Sequence, residues 1–185
     1  MSSFKISVST DDQIRNGAPS ARMKASATLG LLSAVLLVAI SLFSAESADD
    51  IKPPVGYRNS FHVNTMVVDK ANPLFEALGG MHNVYANARA AAALKKGGPY
   101  PNGSQFVTDM HNFTITEGSY VEGARKGVAT MIRDSKKYAS TGGWGFQFRA
   151  EGDPKKPRVT DAANQCFACH VPKKDQDYVY STYIP

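Results

Sequence analysis

The chain holds two cysteines, and they lie three residues apart with a histidine directly after the second: Cys166-Phe167-Ala168-Cys169-His170. Residues three and four apart share one face of a helix, so two thiols and an imidazole converge on one side. That set suits covalent haem attachment, in which the thiols add to the haem vinyl groups as thioethers and the imidazole rises beneath the iron. Cys166 and Cys169 are therefore the expected attachment points of one c-type haem, and His170 its iron ligand. Three other chemistries use paired cysteines. A thioredoxin-like C-x-x-C opens a helix after a parallel strand, and no βαβ pattern is present. Structural zinc wants four ligands, and there is no second cysteine pair. A simple disulfide leaves the adjoining histidine without a reason.

No second iron ligand is marked by a motif. His62, His82 and His111 all fall in or beside predicted strands, where an imidazole is ordinarily exposed or satisfied within the core. Met81, Met110 and Met131 could each supply a thioether, but strand methionines usually serve packing.

The elements that must position the motif are short. Aromatic and β-branched residues alternate over 57–68, 106–116 and 127–133, and Trp144, Phe146 and Phe148 alternate after them; each reads as a strand, with 81–86 a short further candidate. The alanine-rich run 87–96 before Gly97-Gly98-Pro99 reads as a helix, and 134–140 as a shorter one. A Pro101-Asn102-Gly103 turn precedes the 106–116 strand, and 151–158 is a charged loop. A helix over 160–170, with Thr160 as its N-cap and Pro172 past its end, carries the motif. The fold class is α+β, mainly antiparallel sheet with flanking short helices, rather than a helical bundle. Along the 106–116 strand Phe106, Thr108 and Met110 share one face, while Asp109 and His111 point the other way.

Ahead of this region, Arg22 and Lys24 precede an apolar run over 29–43 and then small residues, the order of a secretory signal peptide. The run is interrupted by Ser33 and Ser41 and is shorter than the roughly 20 residues of a membrane span, so cleavage near Ala48 is expected rather than a retained anchor. The division is an N-terminal extension plus signal over 1–47, with the signal proper at 23–47 and Met23 an alternative start, a leader over 48–56, and one domain over 57–185. Loss of residues 1–47 removes four basic and three acidic side chains and lowers the formal charge from +5 to +4. The basic residues are scattered in pairs such as Lys95-Lys96 and Lys173-Lys174, which argues against a nucleic-acid partner.

The ordered set Gly142-Gly143-Trp144-Gly145, Cys166 to His170, Asp177-Tyr178-Val179-Tyr180 and a closing Pro185 resembles the C-terminal half of the cytochrome P-460 family. Asn83-Val84-Tyr85-Ala86-Asn87, the Asn102-Gly103 turn and Arg133-Asp134-Ser135-Lys136-Lys137-Tyr138-Ala139 resemble it too, so the likeness covers most of 57–185. The family includes hydroxylamine-oxidising enzymes and the gas-binding cytochromes c′-beta. The resemblance implies a mainly antiparallel sheet, often in a homodimer, around a haem with His170 as proximal ligand. Its hydroxylamine-oxidising members cross-link a lysine to the haem from the strand after the Asn-Gly or Asp-Gly turn. Here no lysine occurs between Lys96 and Lys126, and Thr108 falls about where it would be.

The expectation is a periplasmic monohaem cytochrome with an open axial site for a small ligand such as nitric oxide, exchanging electrons with a redox partner protein and free of the membrane after cleavage. Phe106, Thr108 and Met110 are candidates for the distal pocket. Oxidation of hydroxylamine or nitric oxide by a P-460-type enzyme is the alternative, weakened by the missing lysine. A six-coordinate electron carrier is the second.

Overall fold

The computed structural model describes residues 50–185. The extension and signal over 1–47 lie outside the described residues. Five strands follow one another in chain order: β1 (Phe61–Val68), β2 (Gly80–Ala86), β3 (Gln105–Thr116), β4 (Ser119–Arg133) and β5 (Trp144–Ala150). Each pairs antiparallel with the next, in a meander of order β1-β2-β3-β4-β5. Helix α1 (Phe75–Leu78) links β1 to β2, and α2 (Ala88–Leu94) links β2 to β3. The α+β class with a mainly antiparallel sheet is the one expected from the alternating runs.

Several boundaries moved, each for a local reason. Residues Tyr57–Asn59 form a 3-10 turn rather than the start of β1, because the Tyr57 hydroxyl and Arg58 guanidinium are drawn to Asp109 at 2.9 and 2.6 Å. Strand β4 begins at Ser119, not near Gly127. Its polar first half lacks an apolar period but pairs with the far end of β3 through a tight turn, where Glu117 and Gly118 both have positive φ, as two-residue hairpins require. The expected helix over 134–140 is a turn about the Asp134 side chain followed by a 3-10 segment, Ala139–Thr141. Helix α1 carried no sequence signal.

Helix α2 explains where the core sits. Asn87 caps it, its Oδ1 accepting from Ala90 N–H at 2.9 Å and from Gln105 N–H at 3.2 Å, which ties the helix start to the start of β3. Small side chains then let α2 close onto the sheet: Ala90, Ala91, Ala93 and Leu94 join Val84, Ala86, Phe106, Trp144, Phe146 and Val179 in one buried cluster. Burial of Phe106 or Phe146 stabilises by roughly 2–3 kcal/mol each. Cys166, Phe167 and Tyr178 pack against the margin of this cluster, so the front face of the sheet positions the motif.

The back face is polar. Asp109, fully buried, receives Tyr57, Arg58 and Arg125, with His111 Nε2 2.9 Å from its Oδ1. Buried Arg149 donates from Nε and Nη2 to the Ile51 carbonyl at 3.1 and 2.9 Å, and Gln147 Oε1 accepts from the N–H groups of Phe148, Arg158 and Val159. The charged 151–158 loop is thereby folded back, with Pro157 bridging to Arg149.

Candidate haem site

The segment bearing the motif starts at Asp161. Its Oδ1 accepts from Asn164 N–H at 3.2 Å, while Gln165 Oε1 accepts from the Thr160 and Asp161 N–H groups at 2.8 Å each. Asp161 therefore performs the capping expected of Thr160: the aspartate and Gln165 satisfy the free N–H groups between them. The first turn, Ala163–Phe167, is π-helical, α3 (Ala168–His170) follows, and a 3-10 stretch Val171–Gln176 closes the segment. Such wide turns are concentrated at functional sites.

Cys166 and Cys169 are both free thiols, Cys166 half-buried and Cys169 exposed. Burial, reinforced by the neighbouring Cys169, pushes the Cys166 thiol up to about 11. A dithiol built for exchange has a depressed pKa, so the environment of Cys166 opposes a thioredoxin-like role. Among the described residues no group of three or more His, Cys, Asp or Glu is placed to hold a metal ion.

His170 is oriented from two sides. Its Nδ1 lies 2.7 Å from the Tyr178 carbonyl oxygen, which can only accept, so Nδ1 carries the proton and Nε2 keeps its lone pair. The ring packs against Phe146 and Tyr180, with centroids at 5.0 and 5.2 Å, and the Tyr180 hydroxyl donates to the Cys169 carbonyl at 2.6 Å. Burial lowers the His170 pKa and outweighs the bond to Tyr178, which raises it. The imidazole is thus held neutral in the tautomer that can ligate iron through Nε2. Tyr178 is held in turn by Gly142: that glycine sits at φ 64°, and a Cβ on it would come within 2.6 Å of the Tyr178 ring.

The front face of the sheet lies beside this imidazole in three rows. The first contains Ala86, Phe106, Met131 and Phe146, the second Asn64, Val84, Thr108, Ala129 and Phe148, and the third Met66, His82, Met110, Gly127 and Ala150. Phe106 and Phe146 are buried beneath the helices, and His82, Met110 and Gly127 are buried at the opposite end, yet Thr108, Ala129 and Phe148 between them are only half-buried. Gly127 makes room for the Phe148 ring, which a Cβ there would strike. Phe106, Thr108 and Met110 do share one face, with Thr108 alone in the less covered row. Asn64 Oδ1 opens onto the same row, buried and without a hydrogen-bond partner.

The other histidines are committed elsewhere. His62 Nε2 contacts Thr65 Oγ1 at 3.0 Å, His82 Nε2 donates to the Leu78 carbonyl at 2.7 Å, and His111 belongs to the Asp109 network on the back face. Sequence reasoning missed the Tyr178 carbonyl, Asn64 and Ala129. Tyr178 lay within a recognised run, but a backbone acceptor leaves no signature in residue type; Asn64 and Ala129 reach the face only through strand register.

Two free thiols, a neutral imidazole with Nε2 available, and a partly covered, mainly apolar row fit a haem. No curated protein matches the chain. The family described as Cytochrome P460 matches residues 54–181, which span the sheet, the motif and the Tyr178 turn, and the chain accordingly belongs to the cytochrome P460 family of haem proteins.

Proposed function

We propose that this haem protein is an exported monohaem cytochrome of the c type, attached through Cys166 and Cys169, with His170 as its one protein ligand and an open axial position that takes nitric oxide or a similar small ligand. The commitment of the four histidines carries the reading: His170, beside the attachment cysteines, has its Nδ1 proton held by the Tyr178 carbonyl, while Nε2 of His62, His82 and His111 is engaged by Thr65, the Leu78 carbonyl and Asp109.

When bound, the haem supplies a redox-active iron that accepts small ligands. The chain's own residues do the rest. Tyr178 fixes the imidazole tautomer, Phe146 and Tyr180 hold the ring, and the Thr108–Ala129–Phe148 row offers an apolar wall with one hydroxyl. That row contains no strong base, whereas oxidation of hydroxylamine requires protons to leave with the electrons. Binding therefore fits this wall better than hydroxylamine oxidation.

A periplasmic location follows from the signal-like order over 23–47, and a redox partner protein is proposed to exchange electrons with the haem. Homodimerisation is proposed on the family likeness; the exposed Ile115 and Tyr120, opposite each other on β3 and β4, supply apolar surface for it.

The test is haem retention in acid solvent followed by carbon monoxide addition to the ferrous protein. Wild type is expected to keep its haem through extraction and to shift its Soret band with carbon monoxide. Cys166→Ala with Cys169→Ala is expected to release the haem. Haem retained by the double variant overturns covalent attachment, and an unmoved Soret band overturns the open site.

A further inference from the structure

The two runs that frame the attachment segment, 142–145 and 177–180, meet in space. Asp177 and Tyr178 are consecutive residues with positive φ, at 52° and 65°. Side chains other than glycine avoid this conformation, and where it persists the surroundings enforce it. Three contacts do so here. Trp144 Nε1–H donates to the Asp177 carbonyl at 2.9 Å, Tyr100 N–H donates to Asp177 Oδ2 at 3.0 Å, and Arg133 Nη1 lies 3.4 Å from Asp177 Oδ1. Arg133 also lies over the Trp144 ring, 5.4 Å from its centroid, and Trp144 is completely buried. The Tyr178 ring packs on Phe167, one residue after Cys166.

The purpose of a turn so heavily pinned is visible at its end. The carbonyl of Tyr178 points at His170 Nδ1, and its direction depends on the two left-handed residues staying as they are. We infer that Trp144, Tyr100 and Arg133 lock the Asp177–Tyr178 turn as a positioning device that sets the strength of the His170 Nδ1–H hydrogen bond, and through it how strongly His170 donates to the iron. A firmer bond gives the imidazole more imidazolate character and strengthens its bond to the metal, which lowers the reduction potential. The inference rests on the haem reading above. It also accounts for two recognised runs that take no part in attachment: one supplies the indole donor, the other the strained turn.

The experiment uses the haem-loaded, full-length protein and reads the iron–histidine stretching band of the ferrous form by resonance Raman, together with the reduction potential. Trp144→Phe and Asp177→Ala are expected to move the band to lower frequency and raise the potential. Asp177→Asn keeps an oxygen for Tyr100 N–H but loses the ion pair with Arg133, and is expected to move the band and the potential by less than Asp177→Ala. Asn87→Ala removes the α2 cap, far from the turn in the chain, and is expected to reduce thermal stability without moving the band. If the band and potential are unchanged in both Trp144→Phe and Asp177→Ala, or if Asn87→Ala moves them equally, the positioning role is overturned. Should Trp144→Phe fail to retain haem, the Asp177→Ala and Asp177→Asn pair decides the matter alone. Wild type without covalent haem overturns the underlying reading instead, and a wild-type spectrum showing a sixth protein ligand overturns the open site, leaving the potential shift to judge the turn.

Discussion

Strand β3 feeds opposite faces of the sheet with alternate residues, and the two faces have opposite characters. On the back, Asp109 is surrounded by Tyr57, Arg58, His111 and Arg125. On the front, its neighbour Thr108 lies half-buried between Val84 and Ala129. One face satisfies most of its buried polar groups within the protein, with the Thr130 hydroxyl an exception; the other leaves an apolar row for a partner the chain does not itself supply. The back is stabilised by its polar network and one end of the front by the α2 core, with the Thr108 row left receptive between, so substitutions on the back should register in stability alone and those along the Thr108 row mainly in haem properties.

Asp109→Asn is the strongest challenge to that division. Removal of one partner from a buried charge network costs about 3–5 kcal/mol, and because Arg58 and Arg125 remain partly in solvent the loss is expected near the lower end, about 3 kcal/mol, in urea unfolding at neutral pH. The haem spectrum should not change. The loss should also depend on pH. Burial alone would raise the Asp109 pKa, but donors from Arg125, Arg58 and Tyr57 outweigh it and hold the carboxyl below its ordinary value. Its contribution is then present above the ordinary carboxylate pKa of about 3.9 and disappears as pH falls through the depressed folded value, so wild type and variant should converge in acid.

Thr130→Val has the opposite sign. Thr130 is buried on the back face, and its Oγ1 has no hydrogen-bond partner. Exchange of that hydroxyl for a methyl is expected to stabilise the protein by about 1 kcal/mol, measured as a shift of the urea midpoint at constant slope. A loss of stability would mean that the Thr130 hydroxyl does make a hydrogen bond and is not an orphan within the back face.

His82→Gln sharpens the account of the front face by a smaller margin. Burial lowers the His82 pKa, Lys126 adds to the lowering, and the bond to the Leu78 carbonyl opposes both. A histidine with a lowered folded pKa contributes stability that is full above its unfolded pKa of about 6.5 and declines as pH falls from there to the folded value. Wild type should lose this increment over that window, and the variant should not; equal slopes for both would show that His82 is not held neutral.

The smallest effect on stability is expected from Thr108→Lys, since the site is half-buried. Its readout is chemical: if the second row faces the ring, mass spectrometry of haem-bearing peptides should reveal a lysine cross-link that wild type lacks. Its absence would place the row away from the haem edge.

The proposed attachment motif was legible because covalent haem chemistry would constrain residue type and spacing together, so Cys166, Cys169 and His170 stand out in one dimension. The strands were legible because alternation survives wherever one face is buried, as at Phe106 and Phe146. The signal broke down where the residues had no apolar period: the first half of β4 is held by its hairpin turn and by pairing with β3, and α1 is four residues long. Asp109 was read only as pointing away from Thr108. What gathers around it comes from Tyr57, Arg58, His111 and Arg125, distant in the chain except for His111, and only strand register brings them together.

The sequence by itself determined the class of fold and marked the proposed ligand set, because both are written in residue identity and period. The tertiary structure decided how His170 is held. A backbone carbonyl has the same chemistry at every residue, so nothing in the identity of Tyr178 could announce the acceptor; the left-handed turn pinned by Trp144, Tyr100 and Arg133 selects that one carbonyl out of the whole chain.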